Sequence, residues 1–315
     1  MPTKGPPGSA EIADAAALLR AGKLVAFPTE TVYGLGANAL DAAAVDRIYS
    51  AKGRPATSPL IVHVASMEMA RDLTLRWPPE AETLARKFWP GPLTLVLRKH
   101  PSIPDRVTAG LDTVGLRMPS HPVALDLIRA AGVPLAAPSA NRFGALSPTT
   151  ADHVRSAFGV AVAMVLDGGP AKVGIESTVL SLAGSGPVLL RPGVISRADI
   201  EAEIGPVAAA GTSNSGSHAS PGLHPRHYSP RTPLLLTERG QAPAYGRGAL
   251  LWIHHSAPAA RLVHMPADPD AYAAALYATL HSLDAEGWDW IAVERPPDEP
   301  RWAAVLDRLT RAARR

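Results

Sequence analysis

The stretch KGRPATSPLIVHV, Lys52 to Val64, carries the chain from a helical pattern into a strand. Upstream, Asp41 can cap a helix whose apolar face is Val45, Ile48 and Tyr49, and Gly53 can end it. Downstream, PLIVHV is dominated by strand formers. Lys52 and Arg54 therefore flank a helix C-terminus, and His63 falls inside the apolar strand that follows. Two cations at such a junction suit either a nearby anion or a solvated turn.

The same alternation extends in both directions. Ser9 can cap a helix with Ile12, Ala15, Ala16 and Leu19 on one face, stopped by Gly22. KLVAF, LTLVL, TVGLRM, VPLAA, VAMVL, STVLSL and VLLR read as strands, and helices fall near 79–89, 122–131, 150–158 and 197–204. VAVAMVL, Val160 to Leu166, is expected as a buried strand. This is an α/β domain with a mixed sheet. Periodicity stops between Gly205 and Pro233, where glycine, serine and proline read as a linker. HPRHYSP within it is too rich in imidazole, cation and phenol for a plain spacer. Beyond it, PLLLTE, ALLWIH, RLVHMP and WDWIAVE are strands, DAYAAALYATLHSLDAEG is an amphipathic helix, and RWAAVLDRLTRAARR is a closing helix. The expected domains are 1–205, a linker over 206–232, and a smaller α/β domain over 233–315.

Composition narrows the chemistry. The 315 residues contain no cysteine, which excludes disulfides, thiolate catalysis and cysteine zinc sites, and which fits a reducing, cytoplasmic compartment. No apolar run reaches the roughly 20 residues of a membrane span. The 31 cations against 28 anions leave a net charge of +3, too small to announce a nucleic-acid partner. Proline, at 32 residues, is about twice its average usage. Many of these prolines stiffen loops that carry hydroxyls and cations.

YGLGANA, Tyr33 to Ala39, contains G-x-G-x-x-A. Pro28 and TETVY separate it from the preceding strand, so it reads as a glycine-rich turn that lets a substrate approach the backbone rather than as a dinucleotide fingerprint. No Walker A motif is present. The His224/His227 pair lacks a neighbouring carboxylate that would make it a metal site. Lys52, Arg54, Arg117 and Arg191 recur at strand–loop junctions beside Ser139, Asn141, Ser147, Ser177 and Thr178. Each alone can be a solvated surface residue. Gathered in one domain, guanidiniums, an ammonium and hydroxyls make a polyphosphate site without a P-loop.

Taken in order, FPTETVYGLGANA, KGRPATSPLIVHV, TVGLRMPSHP, APSANRFGALSPT, GIESTVL and LRPG resemble the YrdC-like threonylcarbamoyl-AMP synthases. PGLHPRHYSP and the tail resemble the longer, two-domain members. The resemblance implies a YrdC-like mixed twisted sheet plus a Rossmann-like C-terminal α/β domain. It implies that ATP, bicarbonate and L-threonine give threonylcarbamoyl-adenylate and pyrophosphate. Separate tRNA-modification proteins would then use that adenylate at adenosine 37 of ANN-decoding tRNAs. Carried onto this chain, Thr31, His63, Arg117, Ala137 and Ser177 would hold L-threonine, with Arg117 on its carboxylate. Arg54, Ser58, Thr113, Ser139, Asn141, Ser147, Arg191 and Tyr228 would hold ATP. Lys52 and Arg54 would be the catalytic cations. Ser58 stands where the family usually has asparagine, and it is a shorter donor. Magnesium is expected with ATP, although no carboxylate cluster declares a site. HPRHYSP would fold back over the active site as a lid. The competing reading is a non-catalytic RNA-binding protein using the same cationic concave surface, with phosphates of the RNA backbone in place of ATP. Direct binding of tRNA is left open by the residues themselves.

Overall fold

The computed structural model describes residues 7–210 and 228–314. The helices are α1 (Ser9–Arg20), α2 (Ala42–Lys52), α3 (Met67–Asp72), α4 (Pro79–Phe88), α5 (Asp105–Thr108), α6 (Pro122–Ala131), α7 (Ala151–Phe158), α8 (Arg197–Ile204), α9 (Pro269–Ala285) and α10 (Ala303–Ala313). Strands β1 (Val25–Phe27), β2 (Gly34–Asn38), β3 (Ile61–His63), β4 (Leu93–Arg98), β5 (Thr113–Arg117), β6 (Leu135–Ala136), β7 (Met164–Val165), β8 (Thr178–Ser181), β9 (Val188–Arg191) and β10 (Ala208–Ala209) form one mixed sheet in the order β10-β9-β8-β4-β5-β3-β6-β2-β1-β7. A second sheet, all parallel, is built from β11 (Leu234–Thr237), β12 (Gly248–Trp252), β13 (Arg261–His264) and β14 (Trp290–Glu294) in the order β11-β14-β12-β13.

The large sheet is covered on both faces. Helices α1 and α6 pack Leu19, Leu127 and Ile128 against Val25, Phe27 and Leu135. Helices α2 and α4 pack Val45, Ile48 and Leu84 against Leu35, Val62, Leu95 and Leu116. The strands in the middle are consequently rich in apolar residues on both sides, with His63, Thr94 and Arg117 as buried polar exceptions. In the small sheet, α9 and α10 bury Tyr272, Leu276, Leu280, Val305 and Leu309 against Leu251, Ile291 and Val293. That same core takes in Val32, Leu146, Ile175 and Tyr228, which belong to loops of the first sheet and to the linker's end. The two sheets thus meet through one shared apolar cluster.

Asp41 caps α2 through the amides of Ala43 and Ala44, and Gly53 closes it at φ 63°, a left-handed value that suits glycine. Ser9 is the first residue of α1 rather than its cap; Gly8 holds the cap position without a side-chain bond. The glycine-rich segment from Gly34 is not a turn but strand β2. Gly36 lies over the Phe27 ring, and a Cβ there would stand 2.7 Å from the ring edge, so glycine is needed for close sheet packing. Val160 to Leu166 is not one buried strand either. Gly159–Ala161 is a short 3-10 turn with Val160 fully exposed, and only Met164–Val165 pairs with β1. The first sheet runs on to Ala209 through β10.

Candidate functional site

A cavity opens where strand ends and loops of the large sheet converge on Tyr228. Its walls include Thr31, Arg54, His63, Arg117, Ala137, Ser139, Ser177, Arg191 and Tyr228. These come from seven separate segments, and the sheet register explains much of the convergence. In the parallel β3–β5 pair, His63 stands beside Arg117, so both side chains leave the same face together. The amide of Ala137 bonds to the carbonyl of Ile61, which lays the Ala137–Ser139 loop across the end of β3. Thr94 on β4 and Ser177 just before β8 share a hydroxyl–hydroxyl hydrogen bond of 2.8 Å.

One end of the cavity is organised around a buried ion pair. Arg117 forms an ion pair with Glu30 at 2.7 Å. It also donates to Thr31 Oγ1 at 2.8 Å and to the carbonyl of Gly91 at 3.2 Å. Thr31 is fixed in turn by Thr29 at 2.9 Å. The second oxygen of Glu30 accepts from the amide of Ser120. Beside them His63 is buried edge-on to Phe27. Burial, and then the neighbouring Arg117, hold its pKa down to about 3, so the ring is neutral at physiological pH.

The other end gathers cations. Arg54 donates to Ser58 Oγ at 2.5 Å and to the carbonyls of Ser58 and Pro59 at 3.2 and 3.0 Å. Its pKa falls to about 10, chiefly through burial, with repulsion from Arg191 adding to the effect and the phenols of Tyr49 and Tyr228 opposing it. Arg191 is anchored by the carbonyl and hydroxyl of Ser177 at 3.0 and 3.2 Å. Its pKa is lowered too, again by burial first. Arg54, Arg117 and Arg191 are only 8%, 4% and 3% exposed. Three buried guanidiniums around one space form a site prepared for anions. Tyr228 closes this end, with its ring buried and its backbone at φ 63°, an uncommon conformation for a bulky residue. The cavity volume is about 50 Å³.

Five of the expected site residues do not line this cavity. Lys52 does not face the cavity. Its ammonium is buried behind the Ser139–Asn141 turn and donates to the carbonyl of Ser139 at 2.5 Å and to that of Asn141. Desolvation would otherwise make a buried cation costly, and these carbonyls offset it. Asn141 is spent on the same turn: it accepts from Ser139 Oγ at 2.6 Å and donates to the carbonyl of Ala145 at 2.7 Å. Ser58 serves as an acceptor for Arg54 and does not line the cavity. Ser147 turns its hydroxyl onto Glu176 at 2.5 Å. Thr113 begins β5, four residues and roughly 13 Å before Arg117, and does not line the cavity as it stands. His224 and His227, and most of the expected linker, fall outside the described residues.

Glu30 and Glu176 were not expected in the site. Glu30 sits directly before Thr31 in TETVY, and Glu176 directly before Ser177 in GIESTVL. A carboxylate inside an otherwise apolar or hydroxyl-bearing segment is the available signal for each. Neither fits a magnesium site. Glu176 is engaged by Ser147 and Arg308, and Glu30 by Arg117 and Ser120. Among the described residues no three metal-ligating side chains stand together.

Residues 17–193 match the family model of the Sua5, YciO and YrdC proteins, described as telomere recombination. Residues 195–314 match that of the threonylcarbamoyl-AMP synthase C-terminal domain. The threonylcarbamoyl-AMP synthase of Bacillus subtilis (strain 168) is 46% identical, covering 96% of this chain and 93% of its own length. That of Pyrococcus abyssi is 43% identical, over 95% and 93%. The crystal structure of P. abyssi Sua5 complexed with L-threonine superposes with a TM-score of 0.91 at 41% identity, covering 97% of this chain and 95% of that one.

Proposed function

The chain belongs to the Sua5/YciO/YrdC family of threonylcarbamoyl-AMP synthases in its two-domain form, and we propose that its cavity joins ATP, bicarbonate and L-threonine into threonylcarbamoyl-adenylate and pyrophosphate. The observation that carries this reading is the convergence of three buried arginines with small hydroxyls and a neutral imidazole in one space. The relative that holds L-threonine in its crystal supports the amino-acid half.

The reaction needs positioning and charge neutralisation more than acid–base groups. The free amine of threonine takes up bicarbonate to give a carbamate and water. A carbamate oxygen then forms a bond to the α-phosphorus while the bond to pyrophosphate breaks. Arg117, rigidly held by Glu30, takes the threonine carboxylate. Thr31, His63 and Ser177 offer hydrogen bonds to the remaining polar atoms. Neutral His63 does so without adding a charge that would compete for the carboxylate. Arg54 and Arg191 face the phosphates, and their mutual repulsion is relieved when anionic oxygens arrive. The present 50 Å³ is well short of the roughly 300–1,000 Å³ of an ordinary ligand pocket. A nucleotide would therefore extend beyond this space as it stands. Lys52 and Asn141 act one layer back, holding the Ser139 turn. Magnesium would enter with the triphosphate and offset part of its charge.

An RNA strand does not suit this geometry. Cations exposed by less than a tenth of their surface cannot lie along a phosphate backbone. Among the described residues no helix is long and apolar enough to cross a membrane. Together with the absence of cysteine, this supports a cytoplasmic setting, where separate proteins would pass the adenylate to tRNA. The test is mass spectrometry of the product formed from ATP, isotopically labelled bicarbonate and L-threonine. The expected species is an adenylate carrying both threonine and the labelled carbon. Release of pyrophosphate without labelled adenylate would overturn the reading.

A further inference from the structure

The most deeply buried cation among the described residues has no part in the chemistry above. Arg308 lies on the apolar face of α10, between Val305 and Ala312, and is about as buried as any leucine around it. It donates from Nε to Glu176 Oε2 at 2.7 Å, from one terminal nitrogen to the carbonyl of Glu176 at 3.3 Å, and from the other to the carbonyl of Pro192 at 3.1 Å. Asp307 gives a further bond at 2.8 Å. Its guanidinium also lies against the ring of Tyr228, 5.3 Å from the centroid. Each partner adjoins the cation-rich end of the cavity. Glu176 lines it and precedes Ser177, Pro192 follows Arg191, and Tyr228 is its wall.

Helix α9 reinforces the same point. Tyr277 donates its hydroxyl to Glu176, at 3.3 Å to the nearer oxygen, and its ring lies 6.0 Å from that of Tyr228. His281 bonds the carbonyl of Ser147, whose own hydroxyl reaches Glu176. A buried carboxylate in the wall of a polyphosphate site would repel its ligand unless neutralised. Among the described contacts the one ion pair that Glu176 makes is with Arg308 of α10, and Arg191 of the first sheet adds a weaker attraction.

We propose that Arg308 is a positioning residue for the nucleotide: through Glu176, Pro192 and Tyr228 it sets the placement of Arg191 and the closing wall, so that the second domain completes the ATP half of the site and bears far less on the Arg117 end that takes threonine. This rests on the reading that Arg54 and Arg191 hold the nucleotide. It gives the tail domain a task in the reaction that no residue of its own performs by touching substrate.

The experiment compares the full-length wild type with Arg308→Gln, Arg308→Lys and the double variant E176Q/R308Q. Initial rates are measured at varied ATP and varied L-threonine, and binding of a non-hydrolysable ATP analogue is measured by calorimetry. Arg308→Gln is expected to raise the ATP KM and the analogue Kd by roughly tenfold, with the threonine KM within about twofold of wild type. Arg308→Lys keeps the charge but loses the planar fork, and should fall between the two. The double variant should recover part of the loss, because it removes the unneutralised carboxylate. A role confined to stability would lower the fraction of active molecules and leave both KM values in place. Analogue affinity within about twofold of wild type for Arg308→Lys and the double variant, or equal rises in both KM values, would overturn the proposal. Should Arg308→Gln fail to fold, the lysine and double variants decide it alone. A wild type that bound no nucleotide would overturn the reading of the cavity, and this inference with it. A wild type that binds, beside variants that bind equally well, would overturn only the inference.

Discussion

Two buried arginine–glutamate pairs flank the cavity, each with a closest approach of 2.7 Å, and they are built in opposite senses. In the first, Arg117 faces the cavity and Glu30 stands behind it. In the second, Glu176 faces the cavity and Arg308 stands behind. The first pair lies within the large sheet and points a cation at the ligand. The second reaches across to the small sheet and presents a neutralised anion. Burying either ion alone would cost several kcal/mol, so each partner makes the other tolerable. What differs is the property delivered to the cavity: charge for a carboxylate in one case, placement without net charge in the other.

Removing the cation that faces the cavity should have the largest effect. On the proposed assignment Arg117→Ala loses the threonine carboxylate contact, and it leaves Glu30 buried without its cation. We expect kcat/KM for L-threonine to fall on the order of 10³-fold in pyrophosphate-release assays. A loss below about threefold would place Arg117 away from threonine. Glu30→Gln is the gentler cut. It keeps the shape and the bond to Ser120 but loosens Arg117, and should raise the threonine KM by roughly tenfold while the ATP KM stays put. Equal movement of both values would dissolve the distinction between the two ends.

A smaller effect follows from His63. Its pKa is about 3 in the folded chain against an ordinary 6.5, and that of His153, stacked on His281, is about 4. Both are lowered, chiefly by burial. Between those values and pH 6.5 the unfolded chain binds protons that the folded chain does not. Stability should therefore decline as pH falls from about 6.5 towards 4. Thermal melts of His63→Gln across that range should show a shallower slope than wild type, and parallel slopes would contradict the assignment. The smallest effect is expected at Thr113, which lies outside the cavity wall. Thr113→Val should change kcat/KM for either substrate by less than about twofold; a larger loss would restore it to the nucleotide site.

The contrast between the pairs also measures what the sequence could reveal. Helix and strand identities followed from periodicity, because two-sided burial writes apolar runs and helical faces write their spacing. Strand β2 escaped because glycines packed under Phe27 look like a turn when only local order is read. Arg54, His63, Arg117, Ser139 and Arg191 were legible as polar residues at strand ends. Lys52 and Asn141 carry the same local signature, yet the fold turns them onto a loop's carbonyls, a choice made by contacts some 87 and 89 residues apart for Lys52. Arg308 is separated from Glu176 by 132 residues. Its trace is an arginine on the buried stripe of Ala304, Val305, Leu309 and Ala312, a misfit that only a partner can explain.

The central claim is that a small amino acid and a nucleotide sit side by side, one on each half of a single arginine-lined space. The most direct test is a crystal structure of the full chain with L-threonine and a non-hydrolysable ATP analogue. The account predicts the threonine carboxylate on Arg117, the phosphates between Arg54 and Arg191, and the Glu176–Arg308 pair intact beneath Tyr228. Ligands bound in separate places, or phosphates remote from both Arg54 and Arg191, would contradict it.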